Sequence, residues 1–380
     1  MAPPPHTVSG FSAGASAALN HQVAFSDVVQ GLGIVGGSPY GCNTVRNAGA
    51  SCSGFADVGH RENTSIPWAE WVADIDAGYL STRAANGSVA PLSNLVDKPV
   101  FLFSGVDDVW VYQSVMRAVA KQFRRLSARV KTEFGINAAH SWVVDNQTCA
   151  TPGEQRPKDE CCGFKNASTA CPLPPHNLPI STLGCCGVCT SGDGDDDTAK
   201  TFDGWRPPIN SCSYDMAGEV LRWVLGAVKP RAAVLPRNLV AVDATRFLPG
   251  SISPARALLD TTAFIYVPDA CKAPGRGEGG YSAHCRVHVH YHPCGSSWRV
   301  VSLSYMLENA LPAYAEANSL VLIYPQSIAG DDNNPVGGGC FDWAGATGPM
   351  FDTRVGLQLR FVIQMMTDLR VNHPAVVETL

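Results

Sequence analysis

The chain has 380 residues, 45% of them hydrophobic and only 16% charged, with a net charge of −5. This composition supplies a sizeable core and excludes global disorder. The acidic balance gives no footprint for nucleic acid, and no apolar run reaches the roughly 18 residues of a membrane span.

The first 145 residues read as strands alternating with helices. A short strand at 6–9 leads through a Ser/Gly turn into a small-residue stretch, 13–25, suited to a tightly packed helix. Apolar runs at 28–35 and 99–103 predict buried strands, a helical pattern follows at 111–126, and 130–136 is strand-like. Residues 146–210 show no periodicity and hold Cys149, Cys161, Cys162, Cys171, Cys185, Cys186 and Cys189; a stretch that long needs crosslinks to be ordered, so it reads as a disulfide-stapled insertion. The α/β rhythm then resumes: a helix at 218–228, strands at 263–267, 286–291 and 320–324, a helix near 305–317 and a long helix at 354–369. The expectation is one α/β domain over 1–380 with a mostly parallel sheet flanked by helices.

Fourteen cysteines, an even number, and sequons at Asn63, Asn86, Asn146 and Asn166 point to a secreted, disulfide-bonded glycoprotein. Cys42 with Cys52, and Cys271 with Cys285, are near enough in sequence to pair. Residues 1–6 carry neither a charged nor an apolar leader segment, so either a leader has been removed or export follows another route.

Gly10-Phe11-Ser12-Ala13-Gly14 is a G-x-S-x-G pentapeptide. Such glycines let a nucleophilic serine sit on a strained strand-to-helix turn, with the next N–H aimed at the oxyanion. The pentapeptide alone is weak evidence in a chain with 36 glycines; the strand before it and the helix after it give it weight. A serine nucleophile needs a base and an acid at strand ends. The strand at 101–103 runs into Ser-Gly-Val-Asp-Asp, making Asp108 the acid, with Asp107 as the fallback, and His140 follows the next strand-like segment as the base. The order Ser12, Asp108, His140 is that of an α/β-hydrolase. Other clusters read as structural. His288, His290 and His292 alternate along a strand and share one face, but no carboxylate stands at a ligand spacing, so no metal is assigned. The 161–162 and 185–189 cysteines read as disulfides rather than zinc ligands, and the acidic run 193–197 as a solvated loop.

The blocks SGFSAGASAA (9–18), GIVGGSPYGC (33–42), FLFSGVDD (101–108), INSCSYDMAGEVLRWVLG (209–226), CRVHVHYHPC (285–294), LVLIYPQ (320–326) and GCFDW (339–343) resemble the extracellular polyhydroxybutyrate depolymerases of the circularly permuted, single-domain kind. The resemblance implies a circularly permuted α/β-hydrolase with Ser12, Asp108 and His140 as triad. It implies an oxyanion hole from the N–H groups of Ala13 and Cys294, and substrate contacts from Trp343 and Phe341. It implies a polyester or ester substrate and no cofactor, and with the composition the expectation is a monomer that engages neither nucleic acid nor membrane. Two departures stand out: His292-Pro293-Cys294 replaces the family's usual His-Gly-Cys, and Phe341 replaces a usual tryptophan. Proline removes one N–H but leaves that of Cys294. The order of elements argues the same rewiring, since the strand, His-Pro-Cys turn, helix and strand that ordinarily precede the nucleophile come after it here. The chain ends should then lie close together. Two other readings fit the sequence: a same-fold carboxylesterase acting on feruloyl, acetyl or small-molecule esters, and a catalytically silent secreted binding protein.

Overall fold

A computed structural model describes residues 3–46, 51–54, 61–145, 208–272, 281–282, 284–328 and 339–371. In chain order the first part contains β1 (His6–Phe11), α1 (Ala13–Ala24), β2 (Val29–Val35), α2 (Cys42–Arg46), α3 (Trp68–Asp74), α4 (Ser81–Ala85), β3 (Pro99–Phe103), α5 (Gln113–Arg125), β4 (Arg129–Glu133) and β5 (Trp142–Val144). The second contains β6 (Ile209–Ser211), α6 (Met216–Leu225), β7 (Leu239–Asp243), β8 (Thr262–Tyr266), β9 (Arg286–Tyr291), α7 (Trp298–Val301), α8 (Ser304–Glu308), α9 (Leu311–Asn318), β10 (Leu320–Tyr324) and α10 (Leu357–Val371).

The apolar runs fold as buried strands of one eight-stranded sheet in the order β4-β3-β2-β1-β9-β10-β8-β7. Neighbours are parallel except β8, which is antiparallel to both β10 and β7. The edge strand β4, Arg-Val-Lys-Thr-Glu, carries charges that discourage edge-to-edge pairing. Both inner neighbours of β1 come from later in the chain. Counting strands from β7 through β10 and then on from β1 turns the spatial order into 1-2-4-3-5-6-7-8, the order of the α/β-hydrolase fold. The permutation expected from the sequence is therefore visible as sheet topology. The extreme residues, 1–2 and 372–380, lie outside the described residues.

Helices cover both faces. One core packs α1, α5 and α10 against the sheet, and a second packs α6, α8 and α9 on the other side. The small residues of α1 leave nearly every position buried, which brings the helix backbone close to β1 and β9.

Several elements differ from expectation for local reasons. The helix expected at 305–317 is broken into α8 and α9 at Asn309–Ala310. There Asn309 Oδ1 accepts the Leu311 N–H at 3.0 Å, Ala310 adopts φ 65°, and Pro312 follows in the first turn of α9. Strand β7, Leu-Val-Ala-Val-Asp, was not expected; it is an edge strand that stays mostly half-buried. A π-helical turn at Ile75–Leu80 joins α3 to α4. The two disulfides suggested by spacing form, Cys42–Cys52 and Cys271–Cys285. A third, Cys294–Cys340, spans 46 residues and has no sequence signal. Strands β5 and β6 pair in parallel, Trp142 opposite Ile209. The cysteine-rich insertion expected over about 146–210 leaves and re-enters the fold through that pair; its residues 146–207 are outside the described ones, as are Asn146 and Asn166.

Candidate active site

Ser12 sits between the end of β1 and the start of α1 with φ 58° and ψ −124°, a conformation non-glycine residues rarely adopt. Its N–H donates to Val35 O at 2.9 Å, and its carbonyl accepts the N–H groups of Ala15 and Ser16. The flanking glycines are required sterically. A Cβ at Gly10 would stand 2.1 Å from Gly14 O, and one at Gly14 would stand 2.3 Å from Tyr291 O and 2.4 Å from His292 O. Gly14 thus lets the end of β9, which leads on to Cys294, abut the first turn of α1. As the first residue of α1, Ala13 has an N–H with no intrahelical acceptor.

The acid follows β3. Asp108 is 4% exposed; its Oδ1 accepts the N–H groups of Trp110 (2.9 Å) and Val111 (2.8 Å), and its Oδ2 accepts from His140 Nδ1 at 2.9 Å. That bond assigns the proton to Nδ1 and leaves Nε2 as the basic nitrogen. Asp107 is half-exposed and donates its N–H to Ala138 O instead, so Asp108 and not Asp107 meets the histidine. The loops docking acid and base pack backbone to backbone, with Val106 N–H on Ile136 O, and a Cβ at Gly105 would stand 1.9 Å from Ala138 O. His140 lies 4.7 Å, ring to ring, from Phe11. A Cβ at Gly36, the left-handed residue after β2, would lie 2.9 Å from His140 Cε1 and 3.4 Å from Asp108 Oδ2. The pair is therefore set beside the turn that carries Ser12.

On the oxyanion side, His292 Nε2 accepts the Ser327 N–H at 3.1 Å, which leaves its Nδ1–H to donate to Pro293 O at 2.7 Å. Burial lowers the His292 pKa to about 4, so this neutral tautomer persists at neutral pH. The Pro293–Cys294 peptide is trans, so fixing its carbonyl directs the Cys294 N–H the opposite way. Proline in the usual glycine position keeps both the carbonyl and that donor. The Cys294–Cys340 bond ties the turn to the segment bearing Phe341 and Trp343.

All six ring nitrogens of His288, His290 and His292 are engaged by Thr7, Ser9, Tyr305, Pro293 and Ser327. Among the described residues no group of three ligands could hold a metal ion.

The structure separates the two aromatic candidates. Trp343 is half-exposed and lines a cleft with Ser16, Asn20, Ser38, Asn43 and Phe351, one helical turn along α1 from Ser12. Asn43 Nδ2 donates to the Trp343 carbonyl at 3.0 Å. The buried Asp342 carboxylate accepts the N–H groups of Ala344, Gly345, Ala346 and Thr347, fixing the loop. Phe341 is 0% exposed, its ring 5.2 Å from Tyr291 and 4.6 Å from His292. The expectation that Phe341 contacts substrate is corrected: its ring is core packing against Tyr291 and His292, with no exposed surface to offer a substrate. Asn43 and Asp342 were missed by sequence reading, which has no periodic or motif signal for either.

The sheet order is that of a circularly permuted α/β-hydrolase fold, and Ser12, Asp108 and His140 all lie in segments that follow the C-terminal ends of its strands. No family model matches the chain. In sequence it is 25% identical over 369 residues to a poly(3-hydroxybutyrate) depolymerase of Delftia acidovorans, covering 95% of this chain and 58% of that protein. It is 24% identical over 373 residues to a polyhydroxybutyrate depolymerase of Talaromyces funiculosus, covering 94% and 87%. In structure it is similar to a polyhydroxybutyrate depolymerase solved as a serine-to-alanine variant complexed with an R3HB trimer, with TM-score 0.64, 21% identity and coverage of 98% and 96%. The depolymerase of Penicillium funiculosum gives TM-score 0.63, 22% identity and coverage of 97% and 96%. The resemblance carried by the seven sequence blocks thus extends along nearly the whole chain, although the chain spans little more than half of the Delftia relative.

Proposed function

We propose that the chain is a secreted serine esterase that hydrolyses short-chain polyhydroxyalkanoate, poly(3-hydroxybutyrate) or its oligomers, through an acyl-enzyme at Ser12. The observation that carries this reading is the His140–Asp108 bond of 2.9 Å beside a serine held at φ 58°. In the first half-reaction His140 Nε2 takes the Ser12 proton as Oγ adds to the ester carbonyl carbon. The oxyanion forms against the N–H groups of Ala13 and Cys294, each worth about 3–4 kcal/mol in comparable sites. The intermediate collapses, the alcohol oxygen leaves with the proton from His140, and the acyl group stays on Ser12. Water then repeats the sequence and releases the hydroxy acid. Asp108 Oδ2 accepts the hydrogen bond of the Nδ1–H throughout, and no cofactor enters.

Trp343 suits an aliphatic polyester, since an indole face packs on methyl and methylene groups. Three disulfides among the described residues, together with Asn63 and Asn86 on surface turns, support secretion and glycosylation. The working unit is taken as a monomer, independent of nucleic acid and membrane.

The test is hydroxybutyrate release from an amorphous polyhydroxybutyrate suspension, with wild type beside Ser12→Ala. Release by wild type alone supports both serine mechanism and polymer. Cleavage of p-nitrophenyl butyrate without polymer release moves the assignment to a same-fold carboxylesterase. Inactivity on both in folded protein leaves the binding-protein reading.

A further inference from the structure

Beneath the candidate site lies a row of buried polar side chains that the mechanism does not use. In the parallel pairing of β1 with β9, Thr7 stands opposite His288 and Ser9 opposite His290. Thr7 Oγ1 bonds His288 Nδ1 at 2.7 Å, and Ser9 Oγ bridges His288 Nε2 (2.6 Å) and His290 Nδ1 (2.7 Å). His290 Nε2 continues to Tyr305 OH at 3.0 Å. Ser9, His288 and His290 are 0% exposed. With neutral imidazoles, each group passes one proton along, so the bonds are all satisfied only when the row points in one concerted direction.

His290 is where the row meets the site. Through Ser9 it holds the strand that leads into Ser12. Through its own backbone it belongs to the strand that runs into the Cys294 turn. Its ring meets Trp142 edge-on at 4.8 Å, and Trp142, two residues past His140, is anchored by its indole N–H to Asn309 O at 2.9 Å. The nucleophile, the oxyanion turn and the base-bearing segment therefore share one fully buried contact.

We propose that His290 is a positioning residue that fixes these three segments relative to one another through Ser9 and Trp142. This rests on the serine-esterase reading of the same site. Phenylalanine at this position keeps an aromatic ring against Trp142 but loses both hydrogen bonds, whereas asparagine retains a polar group near the Nδ1 position facing Ser9.

The test compares kcat and KM on p-nitrophenyl butyrate for His290→Phe, His290→Asn and Val119→Ala, with thermal midpoints and the rate of Ser12 labelling by an alkyl phosphonate. Val119 is a buried residue of α5 in the other core, so its variant supplies lost stability without touching the row. Displacement of reacting groups by about 1 Å is worth on the order of 100-fold, so His290→Phe should lose about 10- to 100-fold in kcat and labelling rate at little-changed KM. His290→Asn should recover part of that loss, and Val119→Ala should keep wild-type kcat at a comparable midpoint. A folded His290→Phe with wild-type kcat overturns the proposal, and so does an equal kcat loss in Val119→Ala. Should His290→Phe not fold, a wild-type kcat in His290→Asn together with an unchanged labelling rate overturns it. Wild type that is not labelled at Ser12, with activity surviving in Ser12→Ala, refutes the esterase reading itself and takes the proposal with it. Normal wild-type labelling with no effect at His290 refutes only the positioning role.

Discussion

Gly14→Ala probes the joint between nucleophile and oxyanion turn. The added Cβ would stand 2.3 Å from Tyr291 O, 2.4 Å from His292 O and 2.7 Å from Tyr291 C. All three are backbone atoms, so no side chain can swing away. Restoring ordinary contact needs a separation of about 1 Å between α1 and the end of β9, and overpacking of this kind is worth about 1–3 kcal/mol of stability. The larger effect should be on rate. Ala13 sits on one side of the joint and Cys294 on the other, so the opening would separate the two N–H groups proposed to share the oxyanion. Loss of one such donor lowers kcat by about 100- to 1,000-fold, and the ground-state ester, which uses them less, should show a nearly unchanged KM. The assay is steady-state hydrolysis of p-nitrophenyl butyrate with a thermal melt of the same sample. Gly250→Ala, where nothing lies within 4 Å of the added carbon, is the control. A Gly14→Ala enzyme that is folded and within about threefold of wild-type kcat would refute the reasoning, because an intact donor pair is what sustains that rate.

Three further outcomes are expected. Asp108→Asn should lower kcat by about 10,000-fold by disturbing the His140 tautomer, while Asp107→Asn should stay near wild type; equal losses in the two would contradict the placement. Trp343→Ala should raise KM for hydroxybutyrate oligomers with little change in thermal midpoint, whereas Phe341→Ala should lose about 3–5 kcal/mol of stability as a core truncation; the reverse pattern would restore Phe341 as the substrate contact. Burial lowers the pKa of His6 and His292 from 6.5 to about 4 and that of His288 to about 3. The unfolded chain then binds more protons below 6.5, so stability is full above that pH and is lost as pH falls toward the folded values. The loss is on the order of 3 kcal/mol for each of these histidines, and a thermal midpoint that stays flat from neutral pH down to about 4 would exclude it.

What was legible in the sequence was what local rules encode. The β1–Ser12–α1 joint is written as glycines at fixed offsets, and unbroken apolar runs mark the strands of a sheet covered on both faces. Asp108 was readable as a polar residue at a strand end, and the structure shows why its neighbour is not equivalent: only Asp108 is turned inward by the N–H groups of Trp110 and Val111. What was not legible depends on contacts across long stretches of chain. Cys294 finds Cys340 at a separation of 46 residues, Asn43 reaches the Trp343 carbonyl across 300, and Phe341 packs on Tyr291 and His292 of the β9 segment. The alternating histidines of β9 could be placed on one face from sequence, but their partners lie some 280 positions earlier, in β1.

The permutation and those histidines bear on one another. With ordinary connectivity α10 would lead directly into β1 and hold the start of that strand covalently. Here the two are far apart in the chain, and the first residue of β1 is held by its backbone, with the His6 N–H on Val28 O at 3.2 Å, and by its side chain. His6 Nδ1 bonds Pro4 O at 2.7 Å, and its Nε2 lies 3.1 Å from His21 Nε2 in α1; His21 Nδ1 in turn bonds Tyr291 OH in β9 at 2.8 Å. One face of β1 is thus tied to α1 and β9 through His6, and the other through Thr7 and Ser9. Ser12 is at the opposite end of the strand, about 20 Å away at the usual rise per residue. The start of β1 is therefore remote from the chemistry, while buried imidazoles add to the backbone pairing with β2 and β9 in aligning the nucleophile strand.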